Sequence, residues 1–94
     1  MAAAESILGQ IVASTSGRDA GHVYVVVGLV PPNFLLLADG RGRRIANPKK
    51  KNVRHVKRVQ QDVSQLADKF RSGAKVTDED LRQALATIGS SDKQ

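Results

Sequence analysis

The sequence predicts a mainly β domain, built as a small barrel and followed by a C-terminal α-helical extension. Three observations predict it. Residues 22–27, HVYVVV, are almost all β-branched or aromatic, the composition of a strand. Two turn signals, Pro31-Pro32-Asn33 and Asp39-Gly40, bracket a second apolar run, Phe34 to Ala38. From residue 62 the apolar residues change to helical spacing. Ninety-four residues make one small domain, able to bury about 60–65 % of the surface exposed on unfolding. The expected division is a barrel over 7–59, a helical extension over 60–89 and a polar tail over 90–94.

The elements follow in order. Ile11 and Val12 follow Gly9 and run to Ser14-Thr15-Ser16-Gly17, a strand ended by a polar turn. The run from His22 to Gly28 is continuous rather than alternating, which predicts a strand covered on both faces. Pro31 and Pro32 cannot donate to a ladder and Asn33 suits a turn. Strands 22–29 and 34–38 therefore form a hairpin. Gly40 accepts the backbone of the next turn, and Ile45-Ala46 is a candidate short strand. Val53, Val56 and Val59 recur every three residues, which is not strand periodicity. A strand over 53–58 is nonetheless expected, because a barrel needs a closing strand.

Val59, Val63, Leu66, Ala67 and Phe70 form an apolar helical stripe. Gly73 is placed to end that helix. Thr77 is the N-cap of the next helix, with Asp78, Glu79 and Asp80 at the positive end of its dipole. Val76 and Leu81 occupy staple positions. Leu81, Leu85 and Ile88 make the buried stripe, and Gly89 is expected to stop the helix.

Composition excludes several classes. Cysteine is absent, and the two histidines, His22 and His55, lie far apart, so no metal site or cofactor is expected. The longest apolar run, Val23 to Pro32, is interrupted by Gly28 and falls well short of the ~20 residues of a membrane span. The N-terminus lacks a positively charged region and carries Glu5, so no secretory leader, no membrane partner and a cytoplasmic location are expected. No catalytic set stands out: Ser14 and Ser16 have no base with an orienting partner, and the carboxylates read as turn or helix-start residues. The chain is not expected to be an enzyme.

Charge is concentrated. The net charge is +6, yet residues 1–40 carry −2 and residues 59–94 carry −1. Residues 41–58, RGRRIANPKKKNVRHVKR, supply +9 from Arg41, Arg43, Arg44, Lys49, Lys50, Lys51, Arg54, Lys57 and Arg58, with no acid. So dense a patch calls for a polyanion. Pro48 biases Asn47 toward extended backbone, and Lys49 to Lys51 are expected to protrude as a solvated arm. The arginines suit bidentate phosphate contacts, the lysines act as point charges, and together they position a ligand without reading its sequence.

Residues 9–27 hold a recognisable pattern: Gly9-x-Ile11-Val12, then Gly17-Arg18-Asp19-x-Gly21, then Val25-Val26-Val27. It resembles the KOW motif of several ribosomal proteins and transcription elongation factors, with Gly21 on the family's characteristic glycine. Downstream, Ala38-Asp39-Gly40-Arg41, Pro48-Lys49-Lys50-Lys51-Asn52 and His55 make residues 7–58 similar to bacterial KOW-domain RNA-binding proteins related to the fourteen-e type of large-subunit ribosomal protein. The resemblance implies an SH3-like barrel of about five strands that binds structured RNA, chiefly ribosomal RNA, with ribosomal proteins as further partners. It implies no catalysis.

Within the motif loop, Gly17 and Gly21 have two open roles: close approach of backbone N–H groups to phosphate, or the hairpin turn itself. Arg18 adds a charged donor fork. Asp19 is expected as a turn residue rather than a base reader. Tyr24, Phe34 and Phe70 sit in apolar runs and are expected in the core, so a base-stacking platform is not expected. His55 is either an RNA contact or a half-buried strand residue. Two other functions compete: a protein-interaction module using Leu81, Leu85 and Ile88 as a partner face, and nonspecific DNA binding through charge.

Overall fold

The computed structural model describes residues 7–59 and 64–92. Five strands form one antiparallel sheet: β1 (Ile11–Ser14), β2 (Val23–Val30), β3 (Phe34–Ala38), β4 (Lys49–Asn52) and β5 (Val56–Arg58), in the order β4-β3-β2-β1-β5. Two helices follow, α1 (Ser64–Ser72) and α2 (Asp78–Asp92). The predicted hairpin is present: Leu29 opposes Leu35 and Val30 opposes Phe34, across a turn that holds a cis Pro31–Pro32 peptide. The register shifts between Val26 and Gly28, the mark of a bulge that bends the strand.

The continuous apolar run of β2 has the predicted cause, since both of its faces are covered. Tyr24 and Val26 pack with Val12, Leu35 and Leu37 on one face of the curled sheet. Val25 packs with Ile11 and Ala38 on the other, against Leu66 of α1 and Leu81 of α2. Among the larger side chains, six, including Ile11, Val25, Leu37 and Leu81, are essentially inaccessible to water. Burying each contributes roughly 1.5–3 kcal/mol. Leu81 is therefore a core residue rather than part of an open partner face, and Leu85 packs beside it. The side chains of Ile88 and Val63 lie outside the described residues.

Helix ends follow the local chemistry. Gly73 N–H donates to Phe70 O and Ala74 N–H to Lys69 O, the paired bonds of a Schellman ending. At the start of α2, Asp80 N–H donates to Thr77 Oγ1 while Thr77 N–H donates to Asp80 Oδ2 (3.2 and 3.0 Å), a reciprocal capping box. Lys69 reaches Asp80 from α1, and the Thr77 N–H bond, with the Lys69 ammonium, holds that carboxyl below the usual range. Gly89 does not stop α2, which continues to Asp92; glycine lowers helix propensity but does not remove the N–H that propagates the helix.

Three other expectations are corrected. Ile45-Ala46 lies in a turn. Residues 53–55 form a 3-10 turn, and only 56–58 are strand. Of the three spaced valines only Val53 lies in the turn, since Val56 opens β5 and Val59 follows it; Asn52 caps the turn by accepting Arg54 N–H. Lys49 to Lys51 do not protrude as an arm: they are strand β4, opposing Leu37, Leu36 and Leu35.

Candidate nucleic-acid interface

Residues 7–59 contain ten basic residues and two acidic ones, Asp19 and Asp39. Both carboxylates are drawn inward and used to hold the basic loops in place.

Asp19 lies in the loop between β1 and β2, flanked by Gly17 and Gly21, whose φ angles of +88° and +90° are left-handed. Nothing crowds the missing Cβ of Gly21, so the backbone angle is what requires glycine there. This favours the turn role for that residue. Each Asp19 oxygen accepts two hydrogen bonds. Oδ1 takes Ser14 Oγ (2.9 Å) and Lys51 Nζ (3.0 Å), while Oδ2 takes Tyr24 OH (2.7 Å) and Lys49 Nζ (3.0 Å). Lys51 also donates to Ser16 O. The ammonium groups belong to β4, which is separated from β1 in the sheet by β3 and β2. The carboxylate thus ties the edge strand back to the opposite side of the curled sheet. Burial pushes the Asp19 carboxyl upward, but the bonds from Tyr24, Lys49, Lys51 and Ser14 outweigh it and hold the group well below the usual carboxylate range. Burial and the same Asp19 contact push the Tyr24 hydroxyl up.

Asp39 ends β3 and is buried. Its Oδ1 accepts Arg41 N–H (2.9 Å) and Arg43 N–H (3.0 Å), and its Oδ2 lies 2.8 Å from His22 Nε2. The His22 ring packs at 4.7 Å on Tyr24. Burial raises the Asp39 carboxyl and these bonds overcome it, for a net lowering. His22 thereby joins the β1–β2 loop to the β3–β4 loop. The antiparallel order already puts both loops at one end of the sheet, so Arg18, Arg41, Arg43, Arg44 and Lys49 share that end. The chain then leaves it along β4 and passes Asn33, whose O accepts Val53 N–H. It returns at His55, whose O accepts Thr15 N–H. The basic stretch therefore does not follow one rim throughout: Arg54 lies on the crossing, and Lys57 and Arg58 line the outermost strand, β5, opposite Ala13 and Val12.

Among the described residues, Lys49 and Lys51 are the only two of the ten cations that form ion pairs. Their side chains are 30 % and 10 % exposed, so they are largely committed to the fold. Arg18, Arg41, Arg44, Lys50, Arg54, Lys57 and Arg58 are exposed and Arg43 is half-buried. Lys50 points to the other face of the sheet, its Nζ 5.0 Å from the Phe34 ring centroid. Phe34 and Phe70 are half-buried rather than fully in the core, whereas Tyr24 is buried. His55 is exposed, in the 3-10 turn rather than in a strand.

Sequence reasoning missed the roles of Asp19 and Asp39 as anchors. The only signal was compositional: residues 7–59 hold two carboxylates against ten basic residues, which does not say which donors they meet. Among the described residues no cluster could hold a metal ion, and no helix is long and apolar enough to cross a membrane. No protein-family model matches the chain.

Proposed function

We propose that this chain is an RNA-binding module of ribosomal or ribosome-associated type, a KOW-like, SH3-like barrel that docks on structured RNA through its cationic loops. The observation that carries the reading is the disposition of charge. The two carboxylates of residues 7–59 are turned inward, while eight of the ten cations have no ion-pair partner among the described residues. In the helical part, by contrast, Lys69, Arg71 and Arg82 each pair with an acid. Leaving so many like charges together opposes folding through self-repulsion unless a polyanion neutralises them. The strand order β4-β3-β2-β1-β5, with a 3-10 turn between β4 and β5, supports the SH3-like reading, as does the sheet curl that brings Lys49 and Lys51 to Asp19. RNA rather than DNA rests on the resemblance of residues 7–58 to the KOW proteins.

The test is affinity for a folded RNA as a function of salt. Five phosphate contacts give a log–log slope of roughly −3.5 to −4.5. A salt-independent affinity would sink the proposal, and equal affinity for duplex DNA at the same salt would reduce it to nonspecific polyanion binding.

A further inference from the structure

In the loop that carries Arg41, Arg43 and Arg44, the arginines at 41 and 44 are exposed and the one at 43 is half-buried, yet much of the backbone is hydrogen-bonded. Asp39 N–H and Gly40 N–H both donate to Arg43 O (2.8 and 3.0 Å). Arg41 N–H and Arg43 N–H donate to the Asp39 carboxylate. The remaining anchors come from α2. Ile45 N–H donates to Asp78 Oδ1 at 2.9 Å, and Arg82 Nη1 donates to Gly40 O at 2.7 Å. Arg82 is itself braced by Glu79 through Nη2 (2.9 Å). Loop and helix are in such close contact that a Cβ on Gly40 would stand 2.5 Å from Asp78 O and 3.0 Å from Arg82 Cγ.

We infer that the first turns of α2 are the positioning element of the arginine loop. Asp78 and Arg82 hold its backbone so that three guanidinium groups are presented together to a phosphodiester backbone. This rests on the RNA reading. A free Arg-Gly-Arg-Arg segment would have to be ordered when it binds, and ordering opposes affinity. Here the order is supplied in advance, from outside the barrel. Arg82 is a positioning residue and not a phosphate contact, because both arms of its fork are occupied, one by Gly40 O and one by Glu79. The helical extension is then part of the RNA site, although residues 78–82 carry three acids and one base.

The experiment compares Arg82→Ala in two backgrounds, by fluorescence anisotropy with a labelled RNA stem-loop. In the otherwise unaltered protein, affinity falls roughly three- to tenfold, the worth of one net hydrogen bond. In the Arg41/Arg43/Arg44→Ala background, Arg82→Ala has no further effect, because there is nothing left to position. Equal losses in both backgrounds would mean that Arg82 meets RNA directly and would overturn the inference, as would no loss in either. Arg82→Lys, which keeps one donor for Gly40 O, recovers most of the affinity. A second readout needs no RNA. Amide hydrogen exchange at Arg43 and Ile45 quickens in Arg82→Ala while Val25 and Val26 stay protected. Unchanged exchange at Arg43 and Ile45 would reject the clamp, and faster exchange everywhere would reject it in favour of general destabilisation. If the unaltered protein fails to bind the stem-loop, the RNA reading falls, and the exchange data still decide the clamp.

Discussion

The Asp19 corner and the Arg41–Arg44 loop sit at the same end of the sheet and use their cations in opposite ways. At the corner a carboxylate faces the side chains: Lys49 and Lys51 share one negative charge and become part of the fold. At the loop a carboxylate faces the backbone: Asp39 takes the N–H groups of Arg41 and Arg43 and leaves the guanidinium groups without an ion-pair partner. One aspartate consumes charge and the other displays it. Which one a basic residue meets decides whether it stabilises the fold or remains available to a ligand.

The largest effect that can break this comparison is on RNA affinity. Replacing Arg41, Arg43 and Arg44 together by Ala is expected to weaken binding by about 10²–10³-fold at moderate salt and to lower the salt slope by about 2–3. The unfolding midpoint should hardly move. A loss of stability as large as the loss of affinity would show that the two regions do not differ.

At the corner the expectation is reversed. Asp19→Ala removes the shared acceptor of two ammonium groups and two hydroxyls, of which Lys51 and Ser14 keep Ser16 O, and is expected to lose roughly 2–4 kcal/mol in urea unfolding. Lys49→Ala with Lys51→Ala should lose roughly 1–3 kcal/mol yet weaken RNA affinity far less than the three arginine substitutions do, since both ammonium groups are held on Asp19. A large affinity loss with unchanged stability would show that these lysines serve the proposed RNA binding rather than the fold.

Acid should act on both anchors in the same direction. Asp19 and Asp39 have folded pKa values below their unfolded ones. Their contribution to stability is therefore complete above the unfolded value, near pH 4, and is lost as pH falls from there toward the folded values. Stability from this source should be level from neutrality to about pH 5 and decline below about pH 4. Asp19→Asn should flatten the decline, and an unchanged acid transition would count against the anchor role. The smallest effect is at Lys50, where Lys50→Met removes a cation–π contact of about 0.5–1 kcal/mol, measurable as a shift in the urea midpoint.

Much of the fold was legible because local chemistry and tertiary demand agree. The β-branched run of β2, the Pro31-Pro32-Asn33 turn, the Thr77 cap and Gly73 each state their structure in the residues themselves. Strand β4 was not legible. Lys49-Lys50-Lys51-Asn52 has no strand propensity and is extended because Leu35 and Leu37 need a neighbour whose stems cover apolar surface and whose heads reach Asp19. The 3-10 turn was not legible either: of the three spaced valines only Val53 lies in it.

By itself the sequence determined that the domain is mainly β with helices after it, that one segment holds the excess charge, and that a loop with two glycines separates the first two strands. These depend on composition and on neighbours within a few residues. Only the tertiary structure decided how the cations are divided. Asp19 meets Lys51 across 32 positions and Arg82 meets Gly40 across 42. Such pairings follow from sheet curl and helix docking, which depend on the packing of the whole chain and leave no mark in any short stretch of it.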